Sequence, residues 1–288
     1  MNKGIVFILL GYISWGLFPL YWALLKHVPA TEVLAHRMLW SVPVLILLIV
    51  LISAWREDFL NALKDKRELA WLLLTAILIT INWGVYILAV NYGRVVEASM
   101  GYFLTPLLHI IGGFFVFKER ISRIKQAAVL CAALGVLFYS TNVDTFPWIG
   151  LVLGLSFASY GILRKMIKTP AVPGLLVETL ILAPLSLGFV TYLAINQKAS
   201  FLNSSLSTDI WLVLAGLVTV VPLVLFTSGS RLLTMTTTGI LFYITPTIQF
   251  LIGAFIFGEA INTKQLLGFS GIWLGLALYT YSLIKEPI

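Results

Sequence analysis

The residues of this chain that could do chemistry are few, and they stand inside or beside long uncharged stretches. Arg37 is followed by no charged residue until Arg56. An arginine at the centre of a hydrocarbon-embedded helix costs about 2.5–3.5 kcal/mol on insertion scales, so it faces the bundle interior or snorkels to the interface. In the interior it holds the anionic part of a solute or pairs with a carboxylate. Glu178 borders a second stretch, uncharged from Thr179 to Gln197. Alone within a bundle it would suit proton coupling; in a wide aqueous vestibule it would be an ordinary solvated acid. His109 lies mid-stretch as either a proton relay or a hydrogen-bonded structural residue. His36 precedes Arg37 and, on a helix, points about 100° away from it, so one of the two faces a neighbouring helix.

Polar and aromatic side chains recur in the same stretches: Ser14, Trp15, Asn82, Trp83, Tyr86, Ser99, Tyr102, Tyr160, Tyr243 and Gln249. An interior lined by aromatics with sparse hydrogen-bonding groups fits an amphipathic organic solute. Taken singly, each Tyr or Trp could equally pack or anchor at an interface, and Asn82 and Ser99 could hold helices together. Pro106 and Pro246 each remove a backbone hydrogen bond and read as hinges or as shapers of a cavity. Gly112, Gly113 and Gly253 suit close helix contact. Glu119 and Glu259 read as carboxylates favouring the N-terminus of the next helix. No Walker loop is present to hydrolyse ATP. No His or Cys cluster suggests a metal, and the one cysteine, Cys131, has no internal partner. No catalytic residue or cofactor is expected. The expected partners are a small-molecule substrate and the lipid bilayer, not nucleic acid; the oligomeric state is left open.

The elements that must position these residues follow from composition. The chain of 288 residues is 60% apolar and 11% charged, against about 25% charged in a soluble domain. Uncharged runs cover Gly4–Leu25, Met38–Trp55, Leu69–Gly93, Ala98–Phe117, Gln126–Val143, Thr145–Leu163, Thr179–Gln197, Ile210–Ser230, Leu232–Gly258 and Gln265–Ile284. Each is long enough for a spanning helix of about 20 residues, two of them by taking in Arg37 and Glu178. Backbone groups in lipid must be satisfied internally, so the fold class is all-α, with ten transmembrane helices. The first run is longer than a cleavable signal core and is expected to remain as a helix. With the N-terminus on one side, that side collects fourteen loop Lys and Arg, from Lys3 and Arg56 through Arg164 and Arg231 to Lys285. The other collects four, Lys26, Arg94, Lys198 and Lys264. The positive-inside rule then makes both termini cytoplasmic.

The chain also resembles itself. At a shift of 140, Phe103-Leu104-Thr105-Pro106 lies over Tyr243-Ile244-Thr245-Pro246, Gly113 over Gly253, Glu119 over Glu259, and Gly135 and Tyr139 over Gly275 and Tyr279. At 141, Arg37 and Pro43 lie over Glu178 and Pro184; at 145, Ser14-Trp15-Gly16 lies over Ser159-Tyr160-Gly161. The chain thus divides into residues 1–143 and 144–288, five helices each. Five is odd, so the second repeat enters from the opposite side and the two are inverted, the arrangement of many transporters. Inversion puts Arg37 and Glu178 at opposite depths, which argues against a direct ion pair without excluding one.

Gly-Tyr-Phe-Leu-Thr-Pro at 101–106 and Phe-Val-Phe-Lys-Glu-Arg at 115–120 resemble the EamA family of the drug/metabolite transporter superfamily. The strings from Trp15 to Trp22, His36 to Ser41, Asn82-Trp83, Glu97 to Ser99, Tyr160 to Lys165 and Gly174 to Thr179 are similar to its RarD branch. The stretch from Asn196 to Thr208 departs from it. The resemblance implies a ten-helix carrier of the bacterial cytoplasmic (inner) membrane. It also implies a central cavity between the halves and transport of small metabolites or drugs, often outward. The rival readings are an intramembrane enzyme on lipid-like substrates, which would predict clustered acids or bases at the interface that the sequence does not show, and a non-transporting regulatory subunit.

Overall fold

In a computed structural model the described residues are 2–91, 95–140, 148–258 and 263–285. They form thirteen helices: α1 (Lys3–Gly16), α2 (Phe18–Ala23), α3 (Ala30–Leu51), α4 (Ser53–Lys64), α5 (Lys66–Asn91), α6 (Val95–Phe115), α7 (Arg123–Ser140), α8 (Trp148–Met166), α9 (Ala171–Ile195), α10 (Leu206–Leu232), α11 (Met235–Phe242), α12 (Ile244–Phe255) and α13 (Thr263–Lys285). No strand occurs among the described residues.

Among the described residues, eight segments are long and apolar enough to cross a membrane: α1 with α2, α3, α5, α8, α9, α10, α11 with α12, and α13. The fourth and fifth uncharged runs are helical as α6 and α7. The described apolar part of α6, Tyr102–Phe115, is shorter than those eight, and α7 opens on Arg123 and Lys125. The molecule is inside-out relative to a soluble protein. Val50, Leu185 and Phe255 are more than 70% exposed, while Glu32, Arg164 and Glu178 are buried. Water would penalise that surface; hydrocarbon does not.

Several elements differ from the charge-bounded runs. The second helix takes in Arg37, as expected, and starts at Ala30, about two turns before it; Glu32 in its first turn is not left bare. It accepts the backbone N–H of Ser200 at 2.7 Å and of Phe201 at 3.1 Å. The first run breaks at Leu17, with Pro19 in the first turn of α2. The ninth breaks at Tyr243, with Pro246 early in α12. A proline lacks the N–H that a first turn leaves unused anyway, so it is tolerated there. Pro106, by contrast, lies inside an unbroken α6. Between the second and third runs α4 is an amphipathic helix. Its Arg56 and Glu57 are exposed and its Ala62 is buried against Leu72, Ile167 and Val177.

Nearly every extensive helix contact joins the first half of the chain to the second. α7 packs on α13, α6 on α8 and α11, α1 on α10 and α12, α3 on α9 and α10, and α5 on α8 and α9. A close backbone seam joins α7 and α13. A Cβ on Gly135 would lie 2.7 Å from the Gly268 carbonyl oxygen, and one on Gly275 would lie 2.6 Å from that of Ala128. Small residues allow this backbone approach, and in lipid that packing is a main source of helix association.

Candidate functional site

Polar side chains converge in two places. The first is a lacing at the end of the bundle where the N-terminus of α5 meets the α8–α9 and α10–α11 connections. Glu68 accepts from the Thr169 backbone N–H at 3.0 Å and its hydroxyl at 2.8 Å. Glu119 accepts from the N–H groups of Met235 (2.6 Å) and Thr236 (2.9 Å) and from the Thr236 hydroxyl (2.7 Å). Arg231 donates to the carbonyls of Thr169 at 2.6 Å and Lys168 at 2.8 Å. Lys165 donates to those of Ser230 and Leu233. The expectation for Glu119 is corrected here. It caps α11, 116 positions away, rather than the following α7, because the chain returns the free amides of α11 to its carboxylate. Glu259 lies outside the described residues.

Just inside this lacing stands the one buried carboxylate–guanidinium pair among the described residues. Glu178 is 3.5 Å from Arg164 Nε and accepts hydrogen bonds from Thr75 at 2.6 Å and Tyr160 at 3.2 Å. Arg164 also donates to the Ala171 carbonyl at 3.1 Å. The lone carboxylate and the Arg37–Glu178 pair considered from sequence are therefore both replaced by an Arg164–Glu178 pair. Arg164 had counted as a loop charge because it lies beside Lys165 at the end of its run.

The second place is a cavity of about 340 Å³, large enough for a small organic molecule. α1, α5 and α11 all begin at the lacing and α8 ends there. The lining residues Phe18 and Trp22, Tyr86, Gln249 and Leu153 lie toward the far ends of those helices or of α12 beyond α11. The cavity thus occupies the half of the bundle away from the lacing. A cluster of Tyr12, Trp15, Phe157, Phe226 and Phe242, with ring centroids 5.0–6.2 Å apart, floors it.

Arg37 projects into this cavity from the second turn of α3. Its Nε donates to the Thr219 hydroxyl at 3.0 Å, which itself donates to the Ala215 carbonyl at 2.7 Å. Its guanidinium carbon sits 4.8 Å from the Trp22 ring centroid and 5.4 Å from that of Trp83. Such contacts are worth roughly 0.5–2 kcal/mol each. No carboxylate pairs with Arg37 among the described residues. His36, on the adjacent face, accepts from Trp40 Nε1 at 3.1 Å and packs 4.8 Å from Phe201.

Of the residues singled out from sequence, Arg37, Trp15, Asn82, Trp83, Tyr86, Tyr102 and Gln249 line the cavity together. Asn82 also joins helices, donating to the Leu153 carbonyl at 2.8 Å and the Ser156 hydroxyl at 3.0 Å. Gln249 donates to the Trp15 carbonyl at 3.1 Å. Ser14 turns back on its own helix to the Leu10 carbonyl. Tyr160 belongs to the Glu178 pair. Tyr243 is fully buried and bonds the Phe103 carbonyl at 3.3 Å. His109 is buried between Phe157 and Phe226, and neither ring nitrogen has a hydrogen-bond partner. The side chain of Ser99 lies outside the described residues. The Pro106 carbonyl faces Gly239 on α11, where a Cβ would come within 2.6 Å of it. Sequence reasoning missed Thr105 and Thr245 as lining residues, although their match at a shift of 140 was the available signal. Nothing in sequence marked Thr219 or Phe157.

A polytopic helical protein with a solute-sized cavity among its helices is the class that this fold and site define. The chain belongs to the EamA-like transporter family, whose sequence model matches residues 2–141 and again 147–281. It is 39% identical to the uncharacterized transporter YojE of Bacillus subtilis (strain 168), over 99% of this chain and 95% of that one. It is 35% identical to protein RarD of Escherichia coli (strain K12), over 98% and 95%, and 32% identical to the chloramphenicol-sensitive protein RarD of Pseudomonas aeruginosa, over 96% and 93%. A crystal structure of another protein, 16% identical, shares the fold with a TM-score of 0.74 over the whole of both chains. The chain is a multi-pass membrane transporter of the bacterial inner membrane, as its EamA and RarD strings imply.

Proposed function

We propose that the protein is a secondary carrier that moves a small organic metabolite or drug outward by alternating access, between two inverted five-helix repeats covering residues 1–143 and 144–288. The observation that carries this reading is the one-sided cavity, sealed toward the lacing by the aromatic floor and the Arg164–Glu178 pair. A carrier needs a central site with a closed gate on one side and the means to exchange it for a gate on the other.

The helix contacts support the inversion. Exchanging each helix with its counterpart (α1 with α8, α3 with α9, α5 with α10, α6 with α11–α12, α7 with α13) turns α1·α10 into α8·α5, α3·α10 into α9·α5, and α6·α8 into α12·α1. Apart from those of α4, which has no counterpart, the extensive contacts map onto one another or onto themselves, so swapping the roles of the halves conserves most of the packing. On the positive-inside reading the lacing is cytoplasmic and the cavity belongs to the outward-facing state. Pro106 and the break before Pro246 are the proposed hinges, and Glu178 and His109 the proposed proton groups.

Efflux from proteoliposomes loaded with labelled amino acids, aromatic metabolites or chloramphenicol, with and without a pH gradient, tests the proposal. Selective flux lost in Arg37→Ala is expected. Loss of only the pH dependence in Glu178→Gln would make that carboxylate the coupling group. Absence of flux above empty liposomes for the whole panel, from protein shown to be folded, would count against the carrier.

A further inference from the structure

The two arginines within the bundle are treated differently, and the difference identifies what the cavity takes. Arg164 has Glu178 at 3.5 Å; the fold supplies a counter-charge where the guanidinium is structural. Arg37 has none. A guanidinium carries five N–H donors, and only the Nε–H of Arg37 meets an acceptor, the Thr219 hydroxyl at 3.0 Å, among the described residues. The remaining donors are on the side of the cavity. The Trp22 and Trp83 faces hold the group in place, but they offer no lone pair in the plane of the N–H bonds. Tyr102 and Tyr86 lie close enough to feel its charge, which puts the polar groups of the cavity around Arg37. The aromatic floor begins with Trp15 and Phe157, whose centroids are 5.6 Å apart. Arg37 is therefore a cationic point in a largely aromatic lining.

We infer that the transported solute is an organic anion with an aromatic or otherwise flat apolar body, its carboxylate or equivalent oxyanion accepting from the free guanidinium N–H groups of Arg37. This rests on the cavity being the carrier's solute site. A planar oxyanion matches the guanidinium fork in a way that a neutral amide matches less well, and an ammonium is repelled. Bound there, it supplies the counter-charge that the protein withholds.

Three probes with one body and different heads test this: 3-phenylpropionate, 3-phenylpropionamide and 3-phenylpropylamine. Binding to purified protein is read calorimetrically, and exchange of each probe is read in proteoliposomes. The native protein is expected to bind the carboxylate at least about tenfold more tightly than the amide, and the amine more weakly still. Arg37→Gln should level the three. Arg37→Lys, which retains the charge, should keep the order with reduced affinity, and monodisperse elution of each variant secures its fold. Equal binding of the three by native protein, no binding at millimolar concentration, or an anion preference surviving in Arg37→Gln would each overturn the inference. Anion-selective binding without exchange would sink the carrier reading and leave the anion site. Exchange of amide and carboxylate alike, unchanged in Arg37→Gln, would sink the anion site and leave the carrier.

Discussion

Burial of a guanidinium can be met with a carboxylate, with carbonyls or with little more than a hydroxyl and aromatic faces, and this chain does all three. Arg164 uses Glu178 and the Ala171 carbonyl, Arg231 uses the carbonyls of residues 168 and 169, and Arg37 keeps most of its donors free. The consequences for stability differ. Removing one member of a buried pair leaves the other charge uncompensated, at about 3–5 kcal/mol, whereas replacing both by apolar groups is often neutral. Arg164→Met alone should therefore lower the thermal unfolding temperature in detergent sharply, and Arg164→Met combined with Glu178→Met should recover most of the loss. A double variant as unstable as the single one would show that the pair does not account for the effect. His109 makes the complementary case. Its ring nitrogens bond nothing, so His109→Leu removes two unsatisfied polar atoms from an aromatic setting and should leave stability unchanged or raised. If His109 relays protons, the same variant must shift the pH profile of flux.

At the scale of elements, the α7–α13 seam is separate from the cavity, since no lining residue comes from either helix. Gly135→Val would press a branched side chain against the Gly268 carbonyl, and overpacking of this kind costs about 1–3 kcal/mol. The expected result is a lower unfolding temperature with unchanged affinity for whatever solute the native protein binds; a fall in affinity would place α13 in the transport path. Element existence was legible in the sequence because lipid enforces a crude rule, about 20 apolar residues per crossing. Charge is a poor marker of where helices end, however. Glu32 lies within a helix with its partners 168 and 169 positions on, and Arg164 within one with its partners across the next connection, and no pattern inside either helix reports that. Less than half of the described lining was readable, through Trp15, Arg37, Asn82, Trp83, Tyr86, Tyr102 and Gln249. Thr219 and Phe157 were invisible, because a lone Thr or Phe in an apolar run carries no sign of which face it takes.

For the whole molecule, the arrangement with the cavity on one side persists only while the lacing holds. Glu119 links the connection after α6 to the N-terminus of α11 through three hydrogen bonds. Bonds to a charged acceptor are worth about 1.5–3 kcal/mol each. Against two nearly isoenergetic arrangements of inverted halves, losing even one would move the populations by roughly a factor of ten. Glu119→Ala should thus drive the carrier toward the state whose cavity faces the lacing. Leu153 lines the cavity on its far side, so a Leu153→Cys reporter in a Cys131→Ala background reads that change. A membrane-impermeant maleimide added outside right-side-out vesicles should label the reporter several-fold more slowly once Glu119 is replaced. Arg231→Ala, which releases residues 168 and 169, should act in the same direction, since it loosens the same face through a different strand of the lacing. In Glu119→Gln one amide oxygen still accepts, and the labelling rate should fall between those of the native and alanine forms. Equal rates in all four would mean that the lacing braces the fold without governing access, and the gate would have to be sought in the aromatic floor between Tyr12 and Phe226.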